Sequence, residues 1–296
     1  VLVWAWYVVV LANVGTAGSF WLFDRAGRSA QALVWRRRLT TIGVGIATSV
    51  LVATAARLWA QTYQAFGGDQ PLTWLLVRVI VTETPWGRGW TWQALGALLC
   101  VATAVTLRRR WHWWPLFAVA AVATGFFTAL NGHAVGMETG VWITVLAHGT
   151  HVVAAGLWLG TLALVLMTTS EEVPEGDAAS SDGAAFAEVI DRFSPLALGA
   201  VGVLVVAGLT ATWRHVGTPA NMVSPYGLVL GLKIGAFVAA AVCGSINWRS
   251  IRPALRFSGA AQRRLRRLAW LEITFGTIAV ALTAVLGLLS MPGHDH

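Results

Sequence analysis

Apolar residues in this chain come in long runs, and polar residues are gathered into the short stretches between them. Runs of about 20 are the length a helix needs to cross about 30 Å of hydrocarbon. The pattern predicts eight spans, at about 2–23, 39–62, 90–107, 115–132, 140–167, 195–213, 226–247 and 268–290. A further apolar stretch, "PLTWLLVRVIVTETPW" from Pro71, is too short to cross while carrying Arg78 and Glu83. It fits an interfacial or re-entrant helix. The expected fold is all-α and polytopic, a single membrane domain over residues 1–296.

Composition supports this. Only 11% of the residues are charged and 56% are hydrophobic, whereas a soluble domain carries about 25% charged residues. The chain opens without Met, inside an apolar stretch, so a removed leader or missing upstream residues are expected. The first run continues to Phe23 and reads as a span rather than a signal peptide. Cys100 and Cys243 both lie in apolar runs, without metal-ligand spacing, and read as small core residues.

Charge sets the orientation. Arg25, Arg28 and Arg36–Arg38 follow span one, Arg108–Arg110 follow span three, and seven arginines from Arg249 to Arg267 follow span seven. The alternate connections hold only Arg78, Arg88 and Arg214. The positive-inside rule then puts the arginine loops in the cytoplasm and both termini outside. The net charge of +8 belongs to loops beside spans, which insertion and anionic lipid explain, so no nucleic-acid partner is expected. The fifth connection, 168–194, is acidic and reads as a flexible cytoplasmic loop running into a short amphipathic segment that ends at Phe193. "RWHWW" from Arg110 (with an interfacial His112) and "PWGRGWTW" from Pro85 are aromatic belts. "VLVATAARLW" from Val50 resembles "VLVVAGLTATW" from Val203, four spans later, which suggests a 4+4 parallel repeat with halves 1–132 and 133–296.

The histidines carry the candidate chemistry. His148 lies about eight residues into span five, roughly 12 Å deep, and His151 is on the same face. His133 sits at the outer end of span four, with Met137 and Glu138 in the turn between. Neutral imidazole suits copper and zinc, and thioether favours Cu(I). The same residues could relay protons. Haem is a further option, with His133 opposite His148 or His151; the i, i+3 pair cannot clamp one ring. Packed histidines can also simply hydrogen-bond between helices. No nucleophile motif, phosphate loop or pair of external carboxylates points to an enzyme. Lys233 and Glu272 are charges inside spans seven and eight, functional or paired by default. Arg249 is the expected partner of Glu272, and Lys233 has no evident one.

"GHA" at Gly132 to Ala134 and "AHGTHVVAAGLWLGTLAL" from Ala147 resemble the core of the CopD copper-resistance membrane domain. "TETPWGRGW" near Trp86, "RFSPLALGAVGVLVVAGL" from Arg192, "YGLVLGLKIG" from Tyr226, "SINWRSIRP" from Ser245, "LAWLEITFG" from Leu268 and the closing "SMP" extend the resemblance in order. It implies an eight-span inner-membrane protein of bacteria that moves copper, generally as uptake from a periplasmic CopC-type partner. Carried over, it makes His133, His148 and His151 the candidate copper ligands; their place in the turn makes Met137 the expected added ligand and Glu138 the expected entrance acid. Trp248 stands where the family has the first of two arginines; Arg249 keeps the second. With only Met137, Met167, Met222 and Met291 in the chain, no thioether pathway can be built, and histidine must dominate for Cu(I) or Cu(II) alike. Two other functions fit the same residues: a non-transporting partner that loads copper into an oxidase, and a haem-binding electron-transfer protein.

Overall fold

A computed structural model describes residues 2–26, 30–67, 71–131, 141–169, 181–216 and 223–289. Every regular element among them is helical: α1 (Leu2–Arg25), α2 (Ala30–Phe66), α3 (Trp74–Glu83), α4 (Pro85–Leu107), α5 (Trp114–Phe126), α6 (Val141–Ala155), α7 (Thr161–Thr168), α8 (Ser181–Val216), α9 (Pro225–Ile246) and α10 (Gly259–Leu286). Eight helical stretches are long and apolar enough to cross a membrane. Span five is composite, with α6 and α7 joined by a π-helical turn at Gly156–Gly160. A second π turn, Asn247–Ile251, extends α9.

In hydrocarbon every backbone polar group must find its partner within the protein, so the chain has no option but to run helix after helix. Spans one and five are the most enclosed, while spans seven and eight turn most of their surface outward. α1 packs against α2, α5, α7 and the first π turn, and α9 packs along α10. The α1 contact with span five is made by glycine. A Cβ on Gly15 would overlap Gly160, one on Gly18 would overlap Thr161, and one on Gly160 would overlap the Leu11 carbonyl. Small residues let two backbones touch where no hydrophobic effect drives helices together. Thr161 Oγ1 donates to the Gly15 carbonyl across this seam at 3.4 Å.

Two expected boundaries change. α2 begins at Ala30 and contains Arg36–Arg38, so the arginines lie on a helix and not in a loop. α8 starts at Ser181 and continues through Pro195, which reduces the expected acidic loop at 168–194 to a shorter connection; residues 170–180 lie outside those described. Proline has no N–H to offer the preceding turn, and beside it Ser194 Oγ donates to the Ile190 carbonyl at 2.8 Å. α3 forms at the stretch from Pro71, burying Val77 and Ile80 and exposing Trp74 and Leu75.

Arginine-rich helix ends meet on one face, where several of the side chains are engaged. Arg36 donates to the carbonyls of Phe23 and Asp24, each at 2.9 Å, and lies over the Trp111 ring. Arg266 donates to the Thr169 carbonyl at 2.6 Å. Each guanidinium thus caps the C-terminal end of a span, α1 and α7 respectively, where free carbonyls and the helix dipole favour a cation. Asp191 receives Arg252 at 2.5 Å and Arg256 at 2.9 Å, tying α8 to the segment after α9.

The glycine seam gives a direct expectation. Gly160→Leu should destabilise the folded protein by the upper end of the about 1–3 kcal/mol typical of overpacking, because its neighbour is backbone and cannot yield. Gly231→Ala, where a Cβ meets open space, should be neutral. Thermal unfolding of both variants in detergent checks this; equal midpoints would refute the seam.

Candidate metal centre

His148 and His151 lie seven and ten residues after Val141, so they sit roughly 10 and 15 Å along the axis of α6. Three residues apart, they share a helix face, and both are half-buried. They interact electrostatically with each other, and His151 also feels Lys233 of α9. Span five therefore supplies the neighbour that Lys233 of span seven lacks in the sequence pattern: His151 lies within its electrostatic reach. His133, Met137 and Glu138 lie outside the described residues, which stop at Asn131 and resume at Val141. Among the described residues, no three His, Cys, Asp or Glu side chains converge as a metal cluster. What is described is a pair of imidazoles with a cation beside it.

A polar string not anticipated from sequence runs inward from Asn131. Asn131 Nδ2 donates to Gln93 Oε1 at 2.7 Å, and Gln93 Nε2 reaches the Thr124 carbonyl at 3.5 Å. Cys100 Sγ lies 3.9 Å from Thr124 Oγ1 and accepts from Asn13 Nδ2 at 3.4 Å. Asn13, Gln93 and Cys100 are fully buried. The signal was present: amides in apolar runs must find partners. Cys100 is a core residue, as expected, yet it is a hydrogen-bonded one.

Glu272 departs from expectation. Its carboxylate is 3% exposed and accepts a hydrogen bond from Trp158 Nε1 at 2.6 Å. Asn247 supplies a second side-chain hydrogen bond. Among the described residues no arginine or lysine forms an ion pair with it. Arg249, the expected partner, lies instead beside the Trp248 ring, 5.8 Å from its centroid. The physical reason is local winding. Trp158 and Asn247 each belong to a π turn, and these turns bring two neutral donors to the acid where straight α-helices would be phased differently. The same residues line a cavity of about 190 Å³ that reaches toward the arginine face between α8, α9 and α10.

Eight long apolar helices around a buried polar interior define a multi-pass membrane protein. Residues 1–142 match the family model described as copper resistance protein D-like, N-terminal domain, and residues 187–286 match copper resistance protein D. The chain thus matches the copper resistance protein D family in both of its domains. It is also similar to "Copper transport protein CutJ" of Bacillus subtilis (strain 168), with 28% identity over 290 residues, covering 95% of this chain and 50% of that protein. The chain thus spans about half the length of that curated relative. No solved structure matches it.

Lys233 yields the test of this geometry. A cation near the histidines opposes a bound metal ion, by about 1–2 kcal/mol for unit charges at a separation on the order of 10 Å and an effective dielectric near 20. Lys233→Met should tighten the affinity of the purified protein for Cu(I) about tenfold or more. Weaker binding would make the amine a ligand and reverse the assignment.

Proposed function

We propose that this protein binds copper in the half of the bundle remote from the arginine face and carries it across the bacterial inner membrane, taking it up from a periplasmic donor of the CopC type. The observation that carries the reading is the pair His148 and His151, which share one stripe of span five inside the bundle. Two neutral imidazoles are competent copper ligands that need no buried carboxylate. His133 follows Asn131 by two residues at the end of span four and completes the set from the neighbouring helix, with Met137 and Glu138 at the entrance. The two family matches support copper as the cargo, and the name of the relative, a copper transport protein, supports movement across the membrane.

The proposed orientation follows from arginine. The face formed around Arg36, Arg109, Arg252 and Arg266 is cytoplasmic, so both termini and the mouth at His133 are periplasmic. The two halves, 1–132 and 133–296, are read as parallel repeats, of which the second carries the paired histidines. Lipid is the other constant partner.

Copper binding by the purified protein tests the site. Ligands must be deprotonated, so affinity should fall as the pH drops below about 6.5, the ordinary imidazole value. His148→Ala and His151→Ala should each weaken binding with the fold retained, and adding His133→Ala should abolish it. Unchanged affinity in the triple variant would move the site to other residues, His294 and His296 first. A Soret band in the as-purified protein would replace copper with haem. A C-terminal reporter active only in the cytoplasm would invert the orientation.

A further inference from the structure

Glu272 and its cavity lie on the arginine side of the bundle, away from the histidine pair. Trp158 follows His151 by seven residues on span five, roughly 10 Å further along the axis. Three observations there call for a ligand. The carboxylate is almost wholly buried with no ion-pair partner among the described residues. Asn247 Oδ1, in the same cavity, is buried and has no donor. Both π turns converge on this one acid, and such turns frequently mark functional sites.

We propose that Glu272 is a proton-binding site, loaded and unloaded through the cavity that opens toward the arginine face. The surrounding groups suit both forms of the acid. As the anion it accepts from Trp158 Nε1 and the Asn247 side chain, which leaves Asn247 Oδ1 without a donor. As the acid it keeps the indole bond and donates its O–H to Asn247, whose amide presents its oxygen after a half-turn. The proton comes from cavity water and returns to it; about 190 Å³ holds a few waters at roughly 30 Å³ each.

A metal ion fits this site less well. The indole N–H already occupies one carboxylate oxygen, and the oxygens left over are too few for a hard cation and too hard for copper(I). The charged or titratable groups facing Glu272 are few. α9 contributes the neutral Cys243 thiol, which feels the carboxylate electrostatically. Beyond α9 the lining holds Arg249 and Arg252, the latter engaged by Asp191. α8 contributes Ser194 and span five contributes Trp158, neither of which titrates.

The proposal stands apart from the copper reading, and its test uses no copper transport. Infrared difference spectra of the whole protein in lipid nanodiscs, recorded between alkaline and acid pH, should show the carbonyl stretch of a buried carboxylic acid. That band should vanish in Glu272→Gln. In Trp158→Phe, which keeps the acid and covers the case of a Glu272→Gln protein that fails to fold, the band should move to higher frequency because its oxygen loses the indole donor. A band identical in wild type and Glu272→Gln, or unmoved in Trp158→Phe, would overturn the assignment. Loss of the band on adding Cu(I) at fixed pH would make Glu272 a metal ligand and likewise overturn it.

Discussion

Spans one and five meet at Gly15 and Gly18 on one side and Gly160 and Thr161 on the other; Gly15 and Gly160 meet backbone directly, and the Thr161 side chain fills the place a Cβ on Gly18 would take. This approach is available only to residues without a Cβ, and it falls where span five winds as a π turn. The extra residue in that turn shifts the helix phase, so that side chains before and after Gly156–Gly160 do not continue a simple 3.6-residue stripe. The His148 and His151 stripe and the Trp158 indole are therefore positioned together by the same contact. Before the turn His151 feels both His148 and Lys233; within it, Trp158 reaches Glu272.

The face carrying the arginines shows charge acting in two ways at once. Basic residues there fit the usual insertion bias, and several also satisfy carbonyls that the helix ends leave open. Arg36 closes the end of α1 and Arg266 the end of α7, each through main-chain oxygens. Asp191 then anchors α8 by receiving Arg252 and Arg256. A connection that is acidic in composition is thus partly a helical clamp on a basic surface. Exposed pairs of this kind are worth little individually, but they fix which helix ends sit together.

The eight spans were legible because hydrocarbon thickness sets a length and apolar composition meets it. Their ends were less so. The first turns of α2 are polar enough to pass for a loop, and the amphipathic segment expected to end at Phe193 proves continuous with span six through Pro195. The histidine stripe could be read from i, i+3 spacing alone. Its neighbour Lys233 could not, since no local pattern joins positions so far apart in the chain. The partner of Glu272 was misjudged for a sharper reason. Opposite charge is the usual guess for a buried acid, and Arg249 stood at the right depth. Two π turns delivered neutral donors instead, and sequence periodicity gives no sign of where such a turn will fall. Asn13, Gln93 and Asn131 were visible as amides in apolar runs, but only the packed helices link them through Thr124 and Cys100.

The central claim is that the stripe on span five lies on a route for copper through the bundle. Copper uptake into proteoliposomes measures that most directly, with the wild-type protein compared with His148→Ala/His151→Ala reconstituted to the same density. The account predicts time-dependent accumulation of copper inside the wild-type vesicles and a drop to the protein-free leak in the variant. Copper that binds the wild-type protein at His148 and His151 yet never enters the vesicles would contradict transport and leave a protein that holds copper for delivery elsewhere.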